Sequence, residues 1–199
     1  MMSKDELRIS PLKRSEWTEG ARDVFAVLGG PEERENGPRY KIISVLAKHP
    51  QLMRPFLEYN RQLLMNSVLP GRERELIILY VGWTCRSAYE WLSHVREGLR
   101  SGVITEEDIS ALKQGSDSSH WADFERTLLR AVDQLRETHT LDDDLWTAIS
   151  EKFDETQMLE FLFAVGNYIL MSGVVNALRM PLEEGAEGAE LVIKYGVPS

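Results

Sequence analysis

The sequence predicts an all-α protein, a single-domain helical bundle of about nine helices. Apolar residues recur at helical spacing along most of the 199 residues, and no segment has the period-two alternation bounded by turn residues that is typical of a hairpin. Proline and glycine fall between the apolar stripes, where they end helices. Hydrophobic residues make up 43% of the chain, which is enough to bury one core.

The first predicted helices are separated by glycine and proline. Ser15 is the expected N-cap of the first helix, which Gly29-Gly30-Pro31 ends, and the acidic stretch 31–38 is expected to be a loop. The residue before a proline avoids the α region, so His49-Pro50 ends the second helix. These predicted helices span about 15–28, 40–48 and 52–67.

The remaining helices have clearer boundary signals. Thr105 and Asp108 have the spacing of a capping box. The last helix is almost long and apolar enough for a bilayer span, but Glu160 and two asparagines interrupt it, so we expect a buried core helix. The tail 181–199 is expected to be a polar arm. The predicted helices span about 72–83, 87–100, 105–113, 121–137, 142–153 and 155–178.

Composition excludes several classes of partner. The 32 acidic residues exceed the 23 basic ones and give a net charge of -9, which disfavours nucleic acid and anionic membrane surfaces as partners. The first ten residues contain no apolar stretch of the secretory kind, so we expect a cytoplasmic protein. Cys85 is the only cysteine, and the chain therefore has no intrachain disulfide or dithiol site.

One face of the helix at 87–100 has an unusual composition. On an ideal helix, the side chains of Ser87, Glu90 and His94 lie on one face, about 130° around the helix axis from the apolar stripe. Small residues at 98 and 101 lie on the same face. We therefore expect another element to pack closely against this face. Glu90 could orient His94, whose ordinary pKa lies near neutrality, as a proton carrier. An exposed i,i+4 pair of little energetic value remains the alternative.

Glu75 is a carboxylate in an otherwise apolar helix. A carboxylate in such surroundings needs a charged partner or an elevated pKa, which makes Glu75 a candidate for proton chemistry. The alternative is that the charged first turn of the helix is simply solvated.

The segment RERELIILYVGWTCRSAYEWLSHVREGLRSGVITEEDISAL resembles the signature region of the carboxymuconolactone decarboxylase and alkylhydroperoxidase-D superfamily. The most specific part is E-x11-S-x-x-E-x-x-x-H, which begins at Glu75 and includes the triplet Tyr-Glu-Trp. The peroxidase branch of this family has cysteines where this chain has Ser87 and Glu90. The chain therefore resembles the thiol-free, decarboxylase-like branch.

The resemblance covers about residues 39–185 and carries several expectations. It implies an alkylhydroperoxidase-D-like helical domain at 39–185, with an N-terminal helix and loop extension at 1–38 and a C-terminal tail at 186–199. It also implies a homo-oligomer, whether dimer, trimer or hexamer, with active sites near subunit contacts. The implied activity is that of a lyase, a decarboxylase that needs no metal or organic cofactor and acts on a small carboxylated lactone or keto acid.

Roles can be assigned to individual residues on this hypothesis. His94 would donate and accept the proton, Glu90 would orient it, and Glu75 would act as a second relay. Four further residues are expected to bind the carboxylate substrate: Ser87, Trp91, Arg72 and Arg86.

Other functions remain open at this point. Glu75, Glu90, His94 and His49 offer nitrogen and oxygen ligands for a metal, although their spacing is not specific. An antioxidant protein of the alkylhydroperoxidase-D kind is disfavoured because Cys85 stands alone. A related isomerisation or dehydration could use the same residues. Alternatively, the Glu90 and His94 face could be buried in a subunit contact of a non-catalytic binding module.

Overall fold

The computed structural model describes residues 6–182 and 186–198, and every regular element within them is a helix. This confirms the predicted all-α fold, with one α-helix more than expected. A short 3-10 helix, Arg14–Glu16, precedes the ten α-helices. They are α1 (Glu19–Asn36), α2 (Lys41–Leu46), α3 (Pro50–Met65), α4 (Gly71–Thr84), α5 (Ala88–Ser101), α6 (Glu106–Leu112), α7 (Asp123–Thr138), α8 (Asp143–Ser150), α9 (Glu155–Leu178) and α10 (Ala186–Tyr195).

The first of two compact units contains α1, α2 and α3, together with the described residues among 178–183. Helix α1 packs along α3. The N-terminal segment is held by Ser44, whose Oγ donates to the Leu12 carbonyl over 3.2 Å. The Nδ1 atom of His49 caps α3 by accepting from the Leu52 amide, as expected for a helix that begins at His49-Pro50.

The predicted start of the first helix was wrong, and so was the loop predicted after it. Thr18, and not Ser15, is the N-cap, because its side chain accepts from the Ala21 amide over 3.2 Å. The first helical run of α1 ends where the sequence predicts, because Gly30 is non-helical at φ 67° and kinks the chain. Pro31 then suits the first turn of a resumed helix, so the predicted loop at 31–38 is helical as far as Asn36.

The second unit spans residues 68–177 and the described residues after 184. Its centre is α4, which contacts α5, α6 and α7. The eight residues from Glu75 to Gly82 are all buried, so this helix is enclosed on every side as its sequence predicts. A reciprocal capping box between Thr105 and Asp108 opens α6 and confirms that prediction.

Helix α9 begins and ends where the sequence predicts, and its two faces differ in their exposure to solvent. Phe161, Val165 and Tyr168 are buried, whereas Leu159 and Phe163 on the other side are more than half exposed. By length and composition alone, α9 is the one helix in the described ranges that could cross a membrane, and half of its most apolar window is buried within the protein. The buried face agrees with the predicted core helix.

The C-terminal segment contradicts the predicted polar arm. Residues 186–195 form α10, which packs on α5, and the Lys194 Nζ pairs with Glu106 over 2.5 Å. The proposed boundaries after residues 38 and 185 remain a prediction.

Candidate functional site

Helices α4 and α5 approach each other closely at two glycines. A Cβ on Gly82 would lie 3.2 Å from the Trp91 amide nitrogen, and one on Gly98 would lie 3.0 Å from Ile104 Cγ1 and 3.2 Å from Glu75 Cγ. The predicted close packing on the Glu90 and His94 face is therefore real, and the partner is α4 of the same chain. Gly98 is consequently unavailable for the subunit contact that the binding-module alternative required.

This packing places Glu75 against the imidazole of His94. The Glu75 Oε1 and His94 Nδ1 atoms are 2.8 Å apart, a hydrogen bond in which Nδ1–H donates to the carboxylate. Glu75 is 5% exposed, and the Tyr168 ring of α9 packs edge-on against the imidazole at 5.2 Å between centroids. The ring of His94 is thus fixed from two sides.

Glu90 approaches the other imidazole nitrogen. Its Oε2 lies 4.0 Å from His94 Nε2, which is within ion-pair range but too far for a hydrogen bond. The predicted role of Glu90 as the orienting partner is therefore wrong, since Glu75 makes the orienting hydrogen bond. We call Glu75, Glu90 and His94 the site cluster.

Burial and charge shift the proton affinities within the site cluster. Burial raises the pKa of the Glu90 carboxyl above its ordinary value, and the neighbouring His94 opposes this only partly. Burial would by itself lower the pKa of His94. The charge of Glu75, the hydrogen bond that His94 donates to it, and the charges of Glu90 and Glu97 outweigh burial, so the pKa of His94 is raised. Both Glu90 and His94 therefore keep protons to a higher pH than they would in water.

Two of the predicted substrate-binding residues have structural partners instead. Ser87 is fully buried and caps α5, its Oγ accepting from the Glu90 amide over 3.5 Å. Trp91 is also fully buried, packs at a tilt against the Trp83 ring and donates its Nε1–H to the Gly196 carbonyl over 3.2 Å. Neither side chain has an open surface for a substrate, so both expectations are corrected.

Arg72 is likewise committed elsewhere. Its two terminal nitrogens donate to the Asp108 carboxylate, each over 2.8 Å, and its Nε donates to Glu125 over 2.7 Å. His120 Nε2 lies 2.7 Å from the same Asp108. A guanidinium so occupied has no free edge for a substrate carboxylate. We call Arg72, Asp108, His120 and Glu125 the Asp108 cluster.

Arg86 and Cys85 lie at the turn between α4 and α5. Arg86 is exposed and adopts φ 55°, and nothing in the described part of the chain joins its side chain to the site cluster. Its predicted role in substrate binding therefore gains no geometric support. Cys85 is half-buried, and burial raises the pKa of its thiol despite the charge of Arg136. A raised thiol pKa is unfavourable for a nucleophile.

A metal at this site lacks a ligand set among the residues that the structure describes. No group of three or more His, Cys, Asp or Glu side chains in the two described ranges is arranged to hold an ion. The arrangement of the site cluster instead suits proton transfer, with one imidazole between two carboxyl groups.

Tyr168 was not predicted as part of the site. Its sequence position indicated a core helix, and only the folded structure brings it to His94. No local sequence signal distinguishes it from the other apolar residues of α9.

One protein-family model matches the part of the chain that contains the site cluster. Residues 50–134, which include the whole site cluster, match the model of the carboxymuconolactone decarboxylase family. No curated protein sequence matches the chain.

Solved structures share the fold at low sequence identity. The debrominase Bmp8 without ligand superposes with a TM-score of 0.73 at 16% identity, covering 96% of this chain and 98% of that one. A cysteine-to-alanine variant of Bmp8 in complex with 2,3,4-tribromopyrrole gives a TM-score of 0.72 at 17% identity, covering 98% and 100%.

A peroxidase-related protein from Ralstonia eutropha, described as an alkylhydroperoxidase AhpD core, gives a TM-score of 0.65 at 14% identity, covering 96% of this chain and 97% of that one. At such identities these likenesses establish the fold and nothing finer. The family match over residues 50–134 and the shared helical fold both support similarity to the carboxymuconolactone decarboxylase and alkylhydroperoxidase-D-like superfamily.

Proposed function

We propose that this protein is a proton-transfer enzyme, a cofactor-independent decarboxylase of a small carboxylated lactone or keto acid. The observation that carries the proposal is the site cluster, in which a hydrogen bond from Nδ1 to Glu75 leaves Nε2 of His94 as the atom that exchanges protons. The His94 side chain is 13% exposed, so it is shielded but not sealed from a small ligand.

The proposed reaction needs only a protonated imidazole. The bond between the substrate carbon and its carboxylate breaks, carbon dioxide leaves, and the electron pair is delocalised into the adjacent carbonyl as an enolate. The proton on His94 Nε2 is then transferred to that carbon, and water returns a proton to the imidazole. Glu75 supports this step because its negative charge stabilises the imidazolium before the transfer.

Glu90 has a different part in this proposal. Burial raises the pKa of its carboxyl, and its Oε2 lies 4.0 Å from His94 Nε2, so Glu90 keeps a proton near the imidazole to a higher pH than it would in water. It can also pass a proton from solvent back to the imidazole. Glu90 is therefore proposed as the relay, and Glu75 as the residue that positions His94.

Thiol chemistry is a weaker alternative for this chain. The two cysteine positions of the peroxidase branch are occupied by Ser87 and Glu90, and the single thiol of Cys85 has a raised pKa. The peroxidase-related and debrominase descriptions belong to structural relatives of 17% identity or less and give this chain no activity. The expectations of a cytoplasmic location and of a small carboxylate as ligand remain part of the proposal.

The test is a screen of small carboxylated lactones and β-keto acids for release of carbon dioxide, carried out in deuterated water. We expect turnover with deuterium at the product carbon, and a loss of about 10²- to 10⁴-fold in kcat for His94→Gln. His139→Asn is the matched control, because His139 is an exposed residue at the end of α7 and its replacement should leave kcat unchanged.

A hydroperoxide assay with a thiol reductant is run in parallel. Peroxide turnover that depends on Cys85, or equal decarboxylation by wild type and His94→Gln, would contradict the proposal.

A further inference from the structure

A buried hydroxyl on α9 has no hydrogen-bond partner. Ser172 is 1% exposed, and its Oγ atom bonds to no donor or acceptor among the residues that the structure describes. A serine inside a helix often donates to the carbonyl four residues before it, but Ser172 does not. A hydroxyl that loses water without gaining a partner destabilises the folded state, so its presence calls for a functional explanation.

Two contacts show how α9 runs along α5. At one end the Asn176 side-chain amide donates to the carbonyls of Cys85 and Arg86, over 3.1 and 3.3 Å. At the other end the Tyr168 ring packs against the imidazole of His94. From the first contact to the second, the residue number falls by eight on α9 and rises by eight from Arg86 on the α5 side. The two helices are therefore antiparallel.

Ser172 and Glu90 lie halfway between these two contacts. Because helices rise by the same 1.5 Å per residue, the two residues are at the same level. Ser172 is four residues from both Tyr168 and Asn176, so on an ideal helix it lies between them on the face turned towards α5. Glu90 reaches His94 Nε2 only at 4.0 Å, too far for a hydrogen bond. The unpartnered hydroxyl is thus brought to the level of the relay carboxyl.

Asn167 is the other α9 residue with buried, unpartnered side-chain atoms in the described ranges. It lies about 140° around the helix from Ser172, so it faces away from α5 and has no part in this argument.

We propose that Ser172 is a further positioning residue of the site, whose Oγ–H donates a hydrogen bond to the Glu90 carboxylate once Glu90 has passed its proton to His94. A buried carboxylate needs a donor, and the proton transfer leaves this charge on Glu90. The Glu90 side chain turns from Nε2 to the hydroxyl by rotation about its own bonds. The inference rests on the relay role of Glu90 in the proposed function.

The other groups around Glu90 do not supply this hydrogen bond. His94, on the same helix, offers positive charge at 4.0 Å, and its Nδ1–H is already donated to Glu75 of α4. Glu75 is itself an acceptor. Tyr168 of α9 presents its ring edge-on to the imidazole. Ser172 is therefore the neutral donor that remains for the ionised form of Glu90.

Infrared titration of the full chain from pH 4 to 9 tests the inference. The carboxyl band of Glu90 is the one that disappears in Glu90→Gln. We expect Ser172→Ala to lower the acid dissociation constant of Glu90 by about 10-fold, because the ionised form loses its donor. The midpoint then rises by about one pH unit. Once a substrate is known, kcat of Ser172→Ala should fall by about 10-fold with KM unchanged.

Ser118→Ala is the matched control. Ser118 is also buried, but its Oγ accepts from the His120 amide over 3.4 Å. This variant should leave the Glu90 midpoint unchanged and lower the urea midpoint of unfolding. Below the pH at which Glu90 ionises, Ser172→Ala should leave the urea midpoint unchanged or raise it, because it removes a hydroxyl without a partner.

Three results would overturn the inference: no Glu90 titration in wild type, a Glu90 midpoint that Ser172→Ala does not move, or an equal shift in Ser118→Ala. A lower urea midpoint with an unchanged Glu90 titration would show that Ser172 is merely structural. The proposed function fails separately. A Ser172-dependent Glu90 midpoint in a protein that releases no carbon dioxide would support the hydrogen bond and contradict the decarboxylase.

Discussion

Two charged clusters in the same unit begin one helical turn apart on α4, yet their hydrogen bonding differs. In the Asp108 cluster the carboxylate is 1% exposed and accepts five hydrogen bonds. In the site cluster a hydrogen bond joins His94 to Glu75, and Glu90 lies at ion-pair distance, 4.0 Å from His94 Nε2. The first arrangement is saturated, and the second leaves Nε2 and the Glu90 carboxyl available.

The difference also appears in the proton affinities. Burial would raise the pKa of Asp108, but the hydrogen bonds from Arg72 and His120 hold it well below its usual range. The pKa of both Glu90 and His94 is raised. A histidine beside carboxylates therefore does not by itself identify a site. The site cluster differs from the Asp108 cluster because some of its hydrogen-bonding atoms remain available and because its raised pKa values keep protons bound to a higher pH.

The largest expected effect is on catalysis by the site cluster. Glu75→Gln keeps the shape of the side chain but removes the charge that stabilises the imidazolium, so we expect kcat to fall by about 10²-fold or more. Because Glu75 raises the pKa of His94, the pH profile of kcat should move to lower pH. Steady-state kinetics from pH 5 to 9, on the substrate found in the screen, measures both effects.

The unfolding free energy of Glu75→Gln should stay within about 1 kcal/mol of wild type. A fall in kcat with an unchanged pH profile would contradict a positioning role and would indicate a structural one.

The Asp108 cluster should give the opposite result. Asp108→Asn leaves the Arg72 guanidinium without its carboxylate, and the unfolding free energy should fall by about 2–3 kcal/mol. This is less than for a fully buried pair, because the Arg72 side chain is 37% exposed. Urea unfolding measures the change, and kcat of the folded protein should not change.

Asp117→Asn is the matched control. Its pair with Arg130 has a comparable N to O distance of 2.7 Å but is solvent-exposed, so its loss should cost under about 1 kcal/mol. Equal losses for the two variants would show that the Asp108 cluster stabilises the fold no more than an exposed ion pair does.

Much of the fold could be predicted from local signals. The limits of α9, the break at His49-Pro50 and the Thr105 capping box depend on residues close in sequence. The break at Gly30 was predicted, but the helix that resumes at Pro31 was not, because the polar residues 31–36 carry no apolar stripe. Helix α10 depends on distant contacts, such as the pair of Lys194 with Glu106.

The sequence selected the three residues of the site cluster, and the structure places them side by side, but the contacts between them were not predicted. Helical spacing placed Glu90 and His94 on one face, and Glu75 was selected as a carboxylate in an otherwise apolar helix. The hydrogen bond between His94 and Glu75 depends on how closely two helices pack at Gly82 and Gly98, which periodicity does not specify. Arg72 was misassigned because its partner Asp108 lies 36 residues away.

The interhelical packing gives the next prediction. Gly98→Ala would place a Cβ 3.0 Å from Ile104 and 3.2 Å from Glu75, so both side chains must shift by a few tenths of an ångström. We expect a loss of about 1–3 kcal/mol in unfolding free energy and a lower kcat, because Glu75 moves relative to His94. Gly71→Ala is the control, since its Cβ would meet Val103 at an ordinary 3.6 Å. Unchanged kcat in Gly98→Ala would show that the contact does not hold the site cluster together.

The smallest expected effect is a difference in the sign of pH dependence between the clusters. Asp108 has a lowered pKa, so its contribution to stability is present above the ordinary value of 3.8 and is lost as pH falls. His94 has a raised pKa, so its contribution is present below 6.5 and is lost as pH rises through the raised value.

We therefore expect the unfolding free energy of wild type minus that of His94→Gln to decrease above pH 6.5, by at most about 1.4 kcal/mol per pH unit for one proton. Wild type minus Asp108→Asn should instead decrease as the pH falls below 3.8. Urea unfolding of the three proteins from pH 3 to 9 measures both differences. If both free-energy differences decreased in the same pH direction, the pKa shifts of Asp108 and His94 would not have opposite signs. The proposal that His94 keeps its proton to a higher pH would then be contradicted.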